Sequence, residues 1–367
     1  MILCANPAAQ FDSYQSEIES AVLSVMRGNR YILGAEVEAL EEEFATYIGT
    51  SYAVGVANGT DALELALRAL DIKSGDEVIT VSHTAVATVA AIEASGATPV
   101  LVDVEQEFYT LEPAQLEEAY SSKTKAIIAV HLYGQSANIE AIKYFCDKHS
   151  LFLIEDASQA HGALYKDKRL GSIGDIGCFS CYPTKNLGAI GDAGLITTNN
   201  ANLASKVRMQ REYGWRNRIS EYTGRNSRLD EIQAAVLRIK LTHLDADNSK
   251  RFNLAKFYKE QLSELPIYLP EIRNEANSVF HLFVVQLDNR DNLITYFKNN
   301  GIQAGVHYSL PVHLQPAYKG RVKIAENMSI TENLVQKIIS LPIYPELSLN
   351  NAQKVVRVFK QFLNQDF

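Results

Sequence analysis

The feature that most constrains the fold is an alternation of two patterns between residues 52 and 198. Short apolar runs, rich in valine and isoleucine, alternate with stretches whose apolar residues recur at helical spacing. This alternation is typical of a layered α/β domain built on a mostly parallel sheet that is covered on both faces. The predicted strands are residues 53–57, 77–81, 99–104, 126–132, 151–155, 177–181 and 194–198, and the predicted helices are 60–70, 84–94, 139–149 and 203–213.

A second, smaller domain is predicted towards the end of the chain. A long helical pattern beyond Arg228 leads out of the first domain and into a segment of shorter elements. These elements are strands over 279–287 and 302–306 and helices around 293–299, 331–340 and 352–362. The length of 367 residues fits one large and one small domain. We expect a large domain over residues 1–245 and a small α+β domain over residues 246–367.

Composition and charge argue against several classes of partner. A net charge of −8 would repel the backbone of a nucleic acid and the surface of an anionic membrane. No apolar stretch has the length of a membrane span and no targeting segment is recognised, so a cytoplasmic location is expected. The four dispersed cysteines are expected to be reduced thiols. Cys178 and Cys181 have zinc-like spacing without a second pair, so no metal site is predicted.

The first motif with chemical content is a predicted strand, residues 151–155, that runs into an acid, Asp156. Ligands of α/β domains bind at the carboxyl ends of the strands, so Asp156 is expected where a cofactor would lie. The alternative is that Asp156 only caps the helix that follows.

The second motif is a strand that runs into a loop bearing proline and glycine, which presents Lys185. A lysine held in such a place can have its pKa lowered and can act as a nucleophile that forms an imine. The alternative is an ordinary surface lysine.

The third motif is Asn58-Gly59-Thr60-Asp61, where a strand passes through a glycine into a helix. Exposed backbone N–H groups at a helix start bind phosphate, and a glycine allows the close approach. The alternative is a plain helix cap. Taken together, the three motifs supply a phosphate cradle, an acid and a buried lysine, which are the parts that pyridoxal phosphate requires.

Nearly the whole chain resembles the DegT/DnrJ/StrS family of sugar aminotransferases, which have the fold-type I architecture of aspartate aminotransferase. The resemblance rests on the motifs of Asp156 and Lys185 together with several other segments. These segments are Tyr31-Ile32-Leu33-Gly34, Gly59-Thr60, residues 99–104, His131-Leu132-Tyr133-Gly134, residues 226–235 and His307-Tyr308. The resemblance implies a pyridoxal-phosphate-dependent enzyme with a large domain on a mostly parallel mixed sheet and a small α+β domain.

The resemblance also implies a role for each matching residue. Lys185 would hold the cofactor aldehyde as an imine, Asp156 would pair with the pyridine nitrogen and Gln159 would bond the phenolic oxygen. The phosphate would be bound by Gly59, Thr60, Asp61 and Ser180, with Asn226 of the partner subunit, which implies a homodimer with shared active sites. The alternative for Asn226 is a cap on a helix over residues 227–240. Candidate substrate-binding residues are Tyr31, Tyr182, His307 and Tyr308.

One position departs from the family pattern. Many relatives place an aromatic residue against the pyridine face, whereas this chain has Ala85 at the matching place. Either His83 covers the ring or that face is packed differently, with His83 a satisfied loop histidine. A group of arginines around Trp215 either contacts the nucleotide diphosphate or forms a solvated face. The group consists of Arg208, Arg211, Arg216, Arg218 and Arg225.

The residues after Lys185 favour one position on the sugar. Residues 182–188 followed by 191–194 resemble relatives that aminate carbon 3, whereas carbon-4 enzymes usually carry Glu-Gly-Gly after the lysine. The implied reaction is ping-pong transfer from glutamate, through pyridoxamine phosphate, to a dTDP-linked 3-keto-6-deoxyhexose in deoxyamino-sugar biosynthesis.

Several alternatives to this reaction stay open. A UDP-linked 3-keto uronic acid is one possible substrate, and a carbon-4 aminotransferase is another reading. Lys185 disfavours a sugar dehydratase of the same fold, because such relatives carry histidine there. A non-catalytic regulator is the distant alternative, since fold alone does not establish function.

Overall fold

A computed structural model of the chain describes residues 1–364. Its helices are α1 (Pro7–Ser13), α2 (Gln15–Arg27), α3 (Ala35–Ile48), α4 (Gly59–Ala69), α5 (Val86–Ser95), α6 (Leu116–Ala119), α7 (Ile139–His149), α8 (Ala201–Gln210), α9 (Glu231–Leu262), α10 (Arg290–Asn299), α11 (Ser329–Lys337) and α12 (Leu349–Leu363). Its strands are β1 (Tyr52–Val56), β2 (Glu77–Val81), β3 (Thr98–Val102), β4 (Thr124–Val130), β5 (Phe152–Asp156), β6 (Leu164–Tyr165), β7 (Lys168–Arg169), β8 (Ile176–Ser180), β9 (Gly194–Thr198), β10 (Trp215–Arg216), β11 (Ile219–Ser220), β12 (Phe283–Gln286), β13 (Lys323–Ile324) and β14 (Ile338–Leu341). None of these helices has the length and apolar character that a membrane span requires.

The main sheet has eight strands in the order β1-β9-β8-β5-β4-β2-β3-β13. Only β9 runs against its neighbours, because it pairs antiparallel with β1 and with β8, while the other pairs are parallel. Every residue of β2 and β9 is buried, so helices and loops cover both faces of the sheet at these strands. The predicted α/β class with a mostly parallel mixed sheet is confirmed.

The parallel strands bring their carboxyl ends to one edge of the sheet. Chain segments that leave these ends include the residues after β2, His131 after β4 and the loop after β5. Strand β1 delivers the chain to α4 at the same edge, and β8 delivers it to the loop that carries Lys185. The three predicted motifs therefore meet in space although the sequence separates them widely.

The C-terminal part of the chain packs around a second apolar cluster. The antiparallel pair β12–β14 and helices α10 and α12 supply Phe283, Phe297 and Phe359, all fully buried. Ile2, from the opposite end of the chain, joins the same cluster. Helix α9 runs without interruption through residue 245, so the boundary proposed there falls inside a helix and stays a prediction.

Two sequence predictions fail in this region. Residues 302–306 do not form a strand, because Ile302 makes a single bridge to Ile2 and Gly305 a single bridge to Ser340. The helix predicted over residues 331–340 ends at Lys337, and the residues after it form β14 instead. The run Ile338–Leu341 is fully buried and pairs with β12, so tertiary pairing overrides the helical pattern there.

Candidate active site

A cavity of about 900 Å³ opens at the carboxyl ends of the strands. Most of the predicted site residues line it. They are Gly59, Thr60, Asp61, Asp156, Gln159, Ser180, Tyr182, Lys185, His307 and Tyr308. The remaining three predicted residues, Tyr31, His83 and Asn226, are not part of its wall within this subunit.

The N-terminus of α4 forms one end of the cavity. Asn58 caps the helix by accepting a hydrogen bond from the backbone N–H of Asp61 at 2.8 Å. A Cβ on Gly59 would lie 2.5 Å from the Cβ of Ser180, so only glycine allows β8 to approach this turn. The first N–H groups of a helix have no partner within the helix and can bind an anion. Ser180 adds a hydroxyl at the same place.

Asp61 contributes to this end differently from Gly59 and Thr60. Its N–H is bonded to Asn58, and its carboxylate forms an ion pair with Arg225 at 3.2 Å. Arg225 also pairs with the buried carboxylate of Glu64 at 2.7 Å. Arg225 thereby neutralises acidic groups that would otherwise repel an anion bound at the helix start.

Lys185 lies in the loop between β8 and β9. The backbone N–H of Lys185 donates to the backbone carbonyl of Tyr182 at 2.8 Å, and this bond closes a turn before the lysine. After the lysine, the carbonyl of Gly188 accepts a hydrogen bond at 2.8 Å from the buried ammonium of Lys240. Burial lowers the pKa of Lys185 to about 8, although the negative charge of Asp156 opposes the shift. At pH 7, one unit below this pKa, about a tenth of the amine is neutral, and the neutral fraction grows as the pH rises.

Asp156 is the last residue of β5 and is nearly buried, with 5% of its surface exposed. One carboxylate oxygen accepts the hydroxyl of Thr88 at 2.9 Å, and the other accepts the N–H of Ser158 at 3.2 Å. Asp156 lines the cavity. The residues after it form a loop, so there is no helix there for Asp156 to cap. The helix-cap alternative for Asp156 is therefore wrong.

Gln159 links the cavity wall to two tyrosines. Its side-chain oxygen accepts the N–H of Tyr133 at 2.8 Å, and its Nε2 donates to the hydroxyl of Tyr308 at 3.1 Å. An amide nitrogen carries two protons, so one remains for a ligand. Burial raises the pKa of Tyr308 to about 12, so this phenol keeps its proton and can also donate.

His83 does not reach the cavity wall. Its Nε2 lies 2.7 Å from the hydroxyl of Tyr133, and that hydroxyl gives its own proton to the carbonyl of His307. His83 must therefore donate from Nε2, and its Nδ1 is buried without a partner. Burial lowers the pKa of His83 to about 4, so the ring is neutral. Ala85 lines the cavity instead, and the alternative of a differently packed face fits the structure better.

Asn226 and Tyr31 are both exposed on this subunit. Helix α9 begins at Glu231 and not at residue 227, so the helix-cap alternative for Asn226 is wrong. The Glu231 carboxylate accepts the N–H groups of Gly34, Glu36 and Val37 and thus caps α3. The Tyr31 hydroxyl lies within hydrogen-bonding distance of two backbone carbonyls at the end of α2, 3.0 Å from that of Gly28 and 3.2 Å from that of Met26.

The structure also gives the positions of the candidate residue His307 and of two of the arginines near Trp215. His307 lines the cavity, its Nδ1 lies 2.8 Å from the Ser340 hydroxyl, and burial lowers its pKa to about 4. Arg208 and Arg211 are held by Glu41, at 3.2 and 2.5 Å, so these two arginines form a structural pairing. Within residues 1–364, no group of side chains has the arrangement of a metal site.

Sequence reasoning missed several residues of the cavity wall. Asn58 and Thr84 directly adjoin predicted residues, so their neighbours could have pointed to them. Other missed residues come from distant parts of the chain and carry no local signal. These are Cys4, His281 and Gln303, whereas Asp192 lies in the segment 191–194 that the motif after Lys185 already includes.

Comparison with known proteins places this arrangement among sugar transaminases. The chain is 45% identical over 350 residues to dTDP-3-amino-3,6-dideoxy-alpha-D-galactopyranose transaminase of Aneurinibacillus thermoaerophilus, covering 95% of this chain and 96% of that protein. It is 41% identical to UDP-N-acetyl-3-dehydro-alpha-D-glucosamine 3-aminotransferase of Acidithiobacillus ferrooxidans, covering 97% of this chain and 96% of that protein.

A solved structure shows the same architecture. Streptomyces venezuelae DesV, in complex with a ketimine intermediate, superposes with a TM-score of 0.96 at 42% identity, covering 100% of this chain and 99% of that one. The sequence pattern of one family matches residues 12–360, which include every residue of the site discussed above except Cys4. The chain belongs to the DegT/DnrJ/EryC1/StrS aminotransferase family.

Proposed function

We propose that this enzyme transfers an amino group from glutamate to carbon 3 of a nucleotide-linked 3-keto-6-deoxyhexose, with dTDP as the favoured nucleotide. The observation that carries the proposal is Lys185, whose amine has a lowered pKa, in one cavity with Asp156 and the N-terminus of α4. The printed activity of the 45%-identical relative supports carbon 3 and dTDP. The 41%-identical relative acts on a UDP-linked 3-keto sugar, which keeps that nucleotide as the second candidate.

The cavity residues fit pyridoxal phosphate, the cofactor of this family. Gly59, Thr60 and Ser180 would hold the phosphate, because the glycine leaves a cradle that a Cβ would fill. Asp156 would face the pyridine nitrogen, and Gln159 would give its free amide proton to the phenolic oxygen. The bound cofactor supplies an electron-accepting ring and carries the amino group between the two substrates.

The chemistry of the protein's own groups follows from their placement. The neutral amine of Lys185 is the nucleophile and, when free, the base that takes and returns a proton at the amino-bearing carbon. The Asp156 carboxylate favours a proton on the group that faces it. His307 and Tyr308 lie on the same wall and are the proposed contacts of the sugar, with Tyr182 at the more exposed side.

We also propose a homodimer in which Asn226 of the partner subunit completes the phosphate site. This proposal is supported by the hairpin around residues 213–222, whose side chains Trp215, Ile219 and Tyr222 are exposed to solvent. Exposed apolar groups of this kind are typical of protein interfaces. Tyr31 would then contact the substrate from this interface region. We further propose that the enzyme acts in the cytoplasm.

The proposal is tested by an assay with the purified enzyme, pyridoxal phosphate and glutamate. The substrates are dTDP- and UDP-linked 3-keto and 4-keto sugars, with products identified by mass and NMR. We expect amination of dTDP-linked 3-keto-6-deoxyhexoses at carbon 3, and none with Lys185→Ala. Reaction with 4-keto sugars alone would overturn the assignment to carbon 3, and turnover of UDP sugars alone would overturn the choice of nucleotide.

A further inference from the structure

Behind Asp156 lies a pair of threonine hydroxyls at the start of α5. Thr88 is fully buried, and its hydroxyl lies 2.9 Å from a carboxylate oxygen of Asp156. The hydroxyl of Thr84, four residues earlier and just before α5 begins, lies 3.0 Å from that of Thr88. Thr84 itself lines the cavity, so the two hydroxyls connect the cavity wall to the far side of Asp156.

The number of available protons determines which hydroxyl of this pair donates and which accepts. An ionised carboxylate only accepts hydrogen bonds, so the Thr88 hydroxyl donates its one proton to Asp156. Thr88 then has no proton left for Thr84, and the Thr84 hydroxyl must donate to Thr88. The second carboxylate oxygen accepts the N–H of Ser158 at 3.2 Å. Both oxygens of Asp156 thus accept a bond from the protein, and each can accept another from a group bound in the cavity that Asp156 lines.

We propose that Thr88 is a positioning residue for Asp156 and that Thr84 fixes the direction of its hydroxyl. The inference rests on the proposed pairing of Asp156 with the pyridine nitrogen of the cofactor. A hydrogen bond to the charged form of a carboxyl group stabilises that form. Thr88 therefore holds the Asp156 carboxylate in the orientation in which it favours a proton on the pyridine nitrogen.

The alternative is that Thr88 serves only packing. A threonine at this fully buried place could be retained for its methyl group alone, and valine would then replace it without effect on the cofactor. Valine has nearly the same shape but replaces the donor by a methyl group, which leaves one Asp156 oxygen buried without a partner. The two roles therefore differ in the state of the cofactor ring and not in the fold.

The test uses enzyme loaded with pyridoxal phosphate that is ¹⁵N-labelled at the ring nitrogen. The ¹⁵N chemical shift distinguishes a protonated from a neutral pyridine, and equilibrium dialysis gives the cofactor dissociation constant. For Thr88→Val we expect the shift to move towards neutral pyridine and the dissociation constant to rise about tenfold, as for one lost bond to a charged group. Thr88→Ser keeps the hydroxyl and should keep the wild-type shift.

Two further variants make the result decisive. Thr84→Val leaves the Thr88 hydroxyl in place without its donor, so we expect a smaller shift in the same direction. Asp156→Asn tests the premise, and its ring nitrogen should lose the proton altogether. If Asp156→Asn changes nothing, the proposed role of Asp156 fails. If Asp156→Asn changes the shift and Thr88→Val does not, the role of Thr88 is overturned. Thr88→Ala replaces the valine variant should that protein fail to fold.

Discussion

Gly59 and Ser180 touch each other across the junction of α4 and β8, with no space for a side chain on the glycine. The contact fixes the distance between the helix start and the serine hydroxyl, which are the two proposed phosphate ligands. Gly59→Ala would push the first turn of α4 away from β8, because its Cβ would stand 2.5 Å from that of Ser180. We expect the dissociation constant of pyridoxal phosphate to rise by about tenfold or more, as when overpacking shifts a backbone.

Fluorescence titration of the cofactor-free variant measures this effect. Ser180→Ala is the matched control, since it removes one hydroxyl without adding a clash and should weaken binding less. A Gly59→Ala protein that binds the cofactor as tightly as the wild type would show that the close contact is dispensable.

The amine of Lys185 should titrate near pH 8, well below the usual value for a lysine. Burial disfavours the charged form and lowers its pKa to about 8, so the neutral fraction grows as the pH rises through that value. In the cofactor-free enzyme, acylation of Lys185 followed by peptide mass spectrometry should show a midpoint near pH 8. Asp156→Asn removes the charge that raises this pKa, so its midpoint should lie lower. A midpoint above pH 10 would contradict the placement of Lys185.

Glu155 holds a buried network next to Asp156. Its carboxylate accepts the N–H groups of Gly171, Ile173 and Gly174 at 2.7 Å each and the Nε2 of His131 at 3.0 Å. Glu155→Gln would turn an amide N–H₂ towards two of these donors. We expect the free energy of unfolding to fall by about 3 kcal/mol, as for other broken buried pairs. Urea denaturation measures the loss, and Glu264→Gln, at an exposed position, should leave the unfolding midpoint unchanged.

The loss of stability in Glu155→Gln should depend on pH. Burial raises the pKa of Glu155, but the bonds from His131 and the backbone N–H groups outweigh it and hold the pKa below the usual value. A group with a lowered folded pKa contributes stability above its unfolded pKa, about 4.3, and loses it as the pH falls through the folded pKa. The stability difference between wild type and Glu155→Gln should therefore shrink in acid. A constant difference down to pH 3 would contradict this.

The shared active site can be tested by mixing two inactive variants. Lys185→Ala would lack the proposed nucleophile, and in the proposed dimer Asn226→Asp would place a carboxylate beside the cofactor phosphate. If Asn226 serves the partner subunit, a mixed dimer has one intact site, and random mixing restores about a quarter of wild-type activity. The measurement is turnover after the two proteins are unfolded and refolded together. No restoration would place both residues in the same subunit's site.

The strands of the main sheet were predictable from the sequence because they are buried on both faces. Residues 77–81 and 194–198 were predicted to the residue, since a run covered on both sides is apolar throughout. The motifs of Lys185 and Gly59 were located for a related reason. Each follows a strand directly, so its position at the edge of the sheet depends only on the strand before it.

The remaining site residues depend on contacts that no local pattern shows. His83 follows β2 as Lys185 follows β8, yet it turns towards Tyr133, whose hydroxyl is committed to His307 from the far end of the chain. Gln303 reaches the cavity because its N–H bonds the carbonyl of Ile2 at 2.8 Å. Single long-range bonds of this kind leave no periodic pattern in the sequence. The strand predicted over residues 302–306 is wrong for the same reason, because single bridges to distant residues hold this segment and a regular strand pairing does not.

The antiparallel strand β9 has a consequence for the biosynthesis of the enzyme. Among residues 1–364, the sheet partner of strand β1 is β9, and β9 joins β1 to β8. As the ribosome delivers the chain from its N-terminus, β1 and the helix start at Gly59 must wait for all intervening strands before they can be fixed beside Ser180. Such distant pairing slows folding. A nascent chain halted before residue 194 should therefore be unable to retain the cofactor, however complete its other strands are.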